Sequence, residues 1–250
     1  MTISGAASAE AAGKQKIGRW SLAAGLAGLV IGAGAMMLAG GGSVAASDKA
    51  AIEQVVREYI LSHPEIIRDA ARLLQEREVA EVVEMNRAAL EKPYAGAWAG
   101  AEDADVVLVE FFDYACGYCR KSNADVERLL REDKKLKVVW REWPVLGEPS
   151  VAAAEASLAA ARQGKFKPFH DKLFELGRPT EAAVAAARSA AGVGAESPRQ
   201  SGRSEIEGNY QLAQAIGATG TPVFVVGDQV LQGAVGYEAL KQAITAARAN

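Results

Sequence analysis

The chain has 250 residues, with 28 Lys and Arg against 31 Asp and Glu for a net charge of -3, which excludes the basic footprint of a polyanion binder and any acidic tail. Hydrophobic residues make up 50%, but 51 residues are alanine, so large core-filling side chains are fewer than that share suggests, although the length still allows one or two domains with real cores. Only two cysteines, Cys116 and Cys119, and two histidines, His63 and His170, occur, which rules out a four-cysteine zinc site, zinc-finger spacing and a multi-disulfide scaffold.

Residues 1–46 read as an export leader. Leu22 to Ala39 run 18 positions without a charge, after Lys14, Lys16 and Arg19 and before a small-residue stretch ending Val44-Ala45-Ala46. Two readings stay open: a cleaved signal peptide, or an uncleaved membrane anchor formed by residues about 20–40. The basic flank places everything from about Ser47 outside the cytoplasm, in a bacterium the periplasm. Removing the leader, whose Lys14, Lys16, Arg19 and Glu10 sum to +2, leaves the exported part at -5. An oxidising compartment lets a cysteine pair stay oxidised.

From Ser47 the apolar residues Ile52, Val55, Val56, Tyr59 and Ile60 recur at helical spacing, with Ser47 or Asp48 as the expected cap. His63-Pro64 interrupts, His63 reading as a helix-boundary residue and not a ligand. A second helix follows through Ile66, Ile67, Ala70, Leu73 and Leu74 to about Leu90. Two such helices cannot bury both apolar faces alone. Residues 47–92 are therefore expected to form a helical oligomerisation arm, or else to fold back onto the domain that follows. Residues 93–104 read as a linker.

Val106 to Phe112 is a near-continuous apolar run of strand length, the pattern of a strand covered on both faces. A helix from about Cys116 and a strand from Leu136 to Trp140 complete a parallel unit. Ala-rich segments within about 148–216 read as a helical insertion. Pro222 to Val226, a turn at Gly227-Asp228 and Gln229 to Gln232 read as a hairpin, closed by a helix through Tyr237, Leu240 and Ile244. The expected class is α/β, a small mixed sheet with helices on both faces.

Cys116-Gly117-Tyr118-Cys119 stands where the buried strand gives way to a helix. A thiol there meets unsatisfied backbone N–H groups and the positive end of the helix dipole, both of which favour the thiolate. Cys116 has that position. Cys119, a turn deeper, is expected to resolve the mixed disulfide that Cys116 forms. A structural staple across so short a loop would restrain little of the unfolded chain. Glu110 sits within the apolar strand, where a carboxylate holds its proton and is able to relay that of the resolving thiol, unless it points to a solvated edge. Asp113 is expected to serve a turn or cap. Thr221-Pro222 begins a strand, where proline is tolerated.

The run Val109-Glu110-Phe111-Phe112-Asp113-Tyr114-Ala115-Cys116-Gly117-Tyr118-Cys119, with Gly220-Thr221-Pro222-Val223-Phe224 downstream, resembles the DsbA-like branch of the thioredoxin-fold disulfide oxidoreductases. The resemblance covers about Val106 to Asn250. Val56-Arg57-Glu58-Tyr59-Ile60-Leu61-Ser62-His63-Pro64-Glu65 resembles the N-terminal region of the ScsC copper-sensitivity suppressors, which is associated with oligomerisation. The resemblance implies a thioredoxin fold over 105–250 with a DsbA-like helical insertion, preceded by the helical arm. It implies Cys116 as nucleophile, Cys119 as resolving cysteine, Glu110 as buried acid and Pro222 as a cis-proline. Gly117, Tyr118 and Thr221 would then meet the substrate peptide, Thr221 through its backbone. The Gly117-Tyr118 dipeptide departs from the Pro-His of DsbA and, with Thr221, resembles the isomerase DsbC, which implies a less oxidising couple. The activity expected is isomerisation or reduction of disulfides; a DsbA-like oxidase and a Cu(I)-handling module are the alternatives. Expected partners are exported cysteine-containing proteins, a membrane redox partner that resets the dithiol, and further copies of the chain in a dimer or trimer, with no nucleic acid, no cofactor and no metal.

Overall fold

The computed structural model describes residues 46–194 and 200–249. The expected leader lies outside the described residues except for Ala46, and among the described residues no helix is long and apolar enough to cross a membrane. The chain divides into two compact units, one ending at Ile66 and one beginning at Ile67.

Helix α1 (Ala46–Ser62) carries the first unit. It starts at Ala46, so Asp48 lies in the first turn, not at the cap, and there its charge meets the positive end of the helix dipole. Ile52, Val55, Val56, Tyr59 and Leu61 are all exposed. Pro64 disfavours helical backbone at His63 and ends α1. The His63 ring packs at a tilt against Tyr59, centroids 4.4 Å apart, and Ser62 Oγ donates to the Glu58 carbonyl at 2.8 Å, so His63 is the boundary residue expected.

Helix α2 (Glu65–Glu91) is exposed at Ile67, Leu73 and Leu74 but buried at Val83 and Leu90. Its second half is therefore a wall of the second unit. The strands of that unit are β1 (Trp98–Gly100), β2 (Val106–Phe112), β3 (Leu136–Glu142), β4 (Val223–Val226) and β5 (Gln229–Gln232), in the spatial order β1-β3-β2-β4-β5. β2 and β3 are parallel, and every other pair is antiparallel. β1 lies in the stretch expected to be a linker. Three residues without apolar alternation give no strand signal, and the pairing of Trp98 with Val139 at the sheet edge makes the strand. Gly100 (φ +101°) closes β1, where an added Cβ would stand 2.2 Å from the Leu136 carbonyl oxygen; only glycine fits.

The remaining helices are α3 (Gly117–Glu132), α4 (Glu148–Arg162), α5 (Phe166–Leu176), α6 (Glu181–Ala191), α7 (Gln200–Ala215) and α8 (Tyr237–Ala249). Alternation along the strands sorts them between two faces. Leu108 and Phe112 of β2, Val138 and Trp140 of β3 and Phe224 and Val226 of β4 pack with Val126 and Leu129 of α3, Leu240 and Ile244 of α8 and Phe166, Phe169 and Leu173 of α5. Val109, Phe111, Val139, Val223 and Val225 face the other way, against Val83 and Leu90 of α2 and Ala213 of α7. This is the expected thioredoxin topology with helices α4–α7 inserted between β3 and β4.

One buried cation ties α2 to this sheet. Arg141 of β3, 5% exposed, donates to the carbonyls of Ala89, Leu90 and Lys92 at the end of α2, to Glu205 Oε1 at 2.8 Å and to Asn209 Oδ1 at 3.0 Å on α7. A helix leaves its last carbonyls without partners, and here a guanidinium supplies them.

Candidate active site

The dithiol lies at the C-terminal end of β2, where Asp113 to Cys116 turn the chain into α3. Cys116 is the N-cap of α3 in extended conformation, and its sulfur accepts from the Cys119 backbone N–H at 3.4 Å. The same sulfur stands 3.2 Å from the Thr221 carbonyl oxygen, across a Thr221-Pro222 peptide bond that is cis. Gly117, Tyr118, Thr221 and Pro222 are thus brought around one sulfur atom, as the resemblance implies. Tyr118 is 68% exposed. A side chain at Gly117 would meet open space, so the position faces whatever approaches.

The two thiols stand in opposed environments. The Cys119 side chain hydrogen-bonds the Cys116 sulfur and outweighs the opposing burial; Thr221 and the N–H groups of Cys119 and Tyr118 add to it, bringing the Cys116 thiol down to about 5. Cys119 is fully buried, and burial pushes its thiol far up. At neutral pH Cys116 is a thiolate and Cys119 a thiol. Both are free in this structure, so the geometry is that of the reduced pair.

Glu110 is 2% exposed on the same sheet face as Leu108 and Phe112; the solvated-edge alternative does not hold. Its Oε2 accepts from the indole N–H of Trp140 at 3.0 Å, directly across the β2–β3 register. Burial pushes the carboxyl up to about 8 in spite of that bond, with the charges of Cys116 and Glu127 acting the same way. Sequence reading missed Trp140. Its signal was the parallel pairing of β2 and β3, which sets residue 110 opposite residue 140.

Asp113 is the turn residue expected, with a wider reach. One carboxylate oxygen accepts from the Ala115 N–H at 2.7 Å, and the other from the N–H groups of Val145 and Leu146 at 2.9 Å each. The carboxylate pins the loop after β3 to the dithiol turn. Tyr114 anchors the turn from the other side, its hydroxyl 2.8 Å from Ser157 Oγ and 3.2 Å from His170 Nδ1. His170 sits among Phe112, Phe166 and Phe174, where burial holds it well below its ordinary range and neutral. Among the described residues no group of three His, Cys, Asp or Glu side chains is placed to hold a metal ion.

The DSBA-like thioredoxin domain family matches residues 107–245, and the copper resistance protein ScsC N-terminal domain matches residues 48–81. The chain is similar to disulfide bond formation protein D of Bacillus subtilis, 28% identical over 163 residues that cover 58% of this chain and 73% of that one. It is 32% identical over 160 residues to the Na(+)/H(+) antiporter NhaA 3 of Salinispora tropica, covering 60% of this chain, and spans only 24% of the antiporter's length. The crystal structure of Proteus mirabilis ScsC in a transitional conformation superposes with a TM-score of 0.64 at 27% identity, covering 83% of this chain and 98% of that one. The paired thiols, their cis-proline neighbour and these matches converge: the chain belongs to the DSBA-like thioredoxin domain family of thiol-disulfide oxidoreductases, with a ScsC-type N-terminal domain ahead of it.

Proposed function

We propose that the chain is a periplasmic disulfide isomerase and reductase that works as a homo-oligomer through residues 48–66. The observation that carries the reading is the pairing of an activated dithiol with an N-terminal unit whose apolar stripe, Ile52, Val55, Val56 and Tyr59, faces solvent. A monomer gains nothing from exposing that stripe, whereas copies joined through it hold several dithiols around one misfolded substrate. The match to a ScsC N-terminal domain supports the same assignment, and a periplasmic thioredoxin-like protein of Salmonella enterica, 29% identical, supports the compartment.

In this reading the Cys116 thiolate attacks one sulfur of a substrate disulfide, forming a mixed disulfide and expelling the other sulfur as a thiolate. That thiolate then attacks another disulfide of the substrate, and exchange ends with Cys116 released: isomerisation. Alternatively Cys119 gives its proton to the Glu110 carboxylate and attacks Cys116, closing the Cys116–Cys119 disulfide and releasing reduced substrate. The Thr221 carbonyl beside Cys116 meets an extended substrate backbone. The Cys116 value of about 5 lies between about 7 for thioredoxin and about 3.5 for DsbA, which supports a couple milder than DsbA.

The test is reactivation of scrambled ribonuclease by residues 47–250 and by the same chain carrying Val56→Glu and Tyr59→Glu. A shortened chain starting at Tyr94 would strip Val83 and Leu90 from the core, so substitution is the cleaner perturbation. The expected result is reactivation by the unsubstituted chain and loss of it in the charged variant, which still reduces insulin. If neither chain reactivates ribonuclease, isomerisation is not its activity and an oxidase takes its place. Cys119→Ser should accumulate mixed disulfides and Cys116→Ser should form none.

A further inference from the structure

The chain between α7 and β4 is held at its two ends. The Ala218 N–H bonds back to the Ala213 carbonyl at 2.8 Å and so closes α7, and the Pro222 carbonyl accepts from the Gly233 N–H at 2.8 Å where β4 meets the end of β5. Between those anchors Thr219, Gly220 and Thr221 make no backbone–backbone hydrogen bond among the described residues, and a backbone without such bonds, with a glycine in its middle, keeps its conformational freedom. Yet the Thr221 carbonyl stands 3.2 Å from the Cys116 sulfur. One side chain holds the stretch. Gln232, the last residue of β5, accepts from the Thr219 N–H through Oε1 at 3.4 Å and donates from Nε2 to the Gly217 carbonyl at 3.2 Å. A carboxamide offers a donor and an acceptor side by side, and only this orientation of it satisfies both backbone groups. The ladder fixes where the side chain starts from: Gln232 pairs with Val223 and, two residues on from Val230, points to the sheet face on which α7 packs. Gln232 is exposed, so a contribution to the core does not account for it.

We infer that Gln232 is a positioning residue for polypeptide substrates: it sets the backbone of 217–221 so that Thr221 presents its N–H and C=O groups to an extended substrate strand beside Cys116. The inference rests on the proposed strand addition at Thr221. An acceptor strand that is already ordered spares the complex the entropy of ordering it. A small disulfide has no backbone to pair and reaches the Cys116 sulfur without the loop. Gln232 therefore acts on polypeptide disulfides and leaves small ones alone, through the loop and not through the sulfur.

The test uses the reduced full chain and two disulfides that release the same chromophore, thiopyridone: dithiodipyridine itself, and a short extended peptide whose single cysteine is joined to thiopyridine. Attack by the Cys116 thiolate expels thiopyridone from either one, and the ratio of the two rates cancels any change in Cys116 ionisation. Gln232→Met, which keeps the length of the side chain and removes both hydrogen bonds, is expected to lower the peptide rate about tenfold, the worth of one or two hydrogen bonds. Dithiodipyridine should keep its rate, and the melting temperature should stay where it is because the position is exposed. Gln232→Glu loses the donor; it should lose peptide rate at about pH 6.5 and regain part of it at about pH 4, where a protonated carboxyl again donates to the Gly217 carbonyl. A ratio unchanged in Gln232→Met, whether both rates fall or neither does, overturns the inference, and so does an equal loss in Gln232→Glu at both pH values. A peptide N-methylated on both sides of its cysteine separates the two layers. If the unsubstituted chain attacks it as fast as the unmethylated peptide, strand addition itself is absent and the inference falls with it; if methylation slows attack while Gln232→Met does not, only the role of Gln232 is removed.

Discussion

Replacing Glu110 by glutamine should stabilise the reduced protein, and by an amount that depends on pH. The carboxyl titrates at 4.5 when free and at about 8 in the fold. Between those values the folded chain binds a proton that the unfolded chain has lost, so stability falls as pH rises through the window. Each pH unit costs about 1.4 kcal/mol, and the total at and above pH 8 approaches about 4.8 kcal/mol; at pH 7 it is about 3.3 kcal/mol. Glutamine keeps an acceptor for the Trp140 indole N–H but buries an amide N–H group without a partner, at about 1 kcal/mol. The net gain is thus near zero at pH 5, about 2 kcal/mol at pH 7 and larger at pH 8.5. For a unit of this size, 2 kcal/mol raises the melting temperature by about 4–8 °C at pH 7. Thermal unfolding of both proteins with dithiothreitol, at pH 5, 7 and 8.5, reads the difference directly. Parallel melting curves at all three pH values would refute the reasoning, because a solvated or already ionised Glu110 gives no window.

Alkylation of Cys116 by iodoacetamide should rise through a midpoint near pH 5, the thiolate appearing as pH climbs past the depressed value; a midpoint near 9 would mean that Cys119, Thr221 and the backbone N–H groups do not hold the charge. Arg141→Met should cost about 3–5 kcal/mol, as for a broken buried pair, measured by urea unfolding, and Glu205→Met in the same chain should recover part of it because the stranded carboxylate is gone. Gly100→Ala should cost at least about 1–3 kcal/mol through its positive φ and the close approach of the Leu136 carbonyl; a loss below about 0.5 kcal/mol would mean that β1 is free to move off β3.

Much of the catalytic unit was legible locally. The apolar run of β2, the helix after Cys116, the hairpin of β4 and β5 and the Ala-rich insertion each announce themselves within a dozen residues, because periodicity and turn chemistry act at that range. The thiol placement was legible for the same reason: the strand-to-helix junction that orients Cys116 is a local event. β1 was not, since Trp98-Ala99-Gly100 is a strand only because β3 offers an edge to it. The role of α2 was half legible. Its periodicity marks an amphipathic helix, but whether Val83 and Leu90 meet a partner copy or the sheet depends on what lies opposite them, and there it is the sheet and α7.

The sequence by itself therefore determined which residues carry sulfur chemistry, where along the chain the strand yields to the helix that activates one of them, and that a helical segment precedes the catalytic unit. The tertiary structure decided what surrounds those residues. Trp140 opposite Glu110 comes from a parallel register between segments 30 residues apart, the Arg141 cap on α2 from a contact spanning about 50, and the hold of Asp113 on Val145 and Leu146 from one spanning 32 and 33. Local propensity carries no information about such partners. They are selected by which faces of the sheet bury together; that burial keeps a proton on Glu110, while hydrogen bonds from Cys119, Thr221 and the backbone N–H groups leave Cys116 without one in spite of burial.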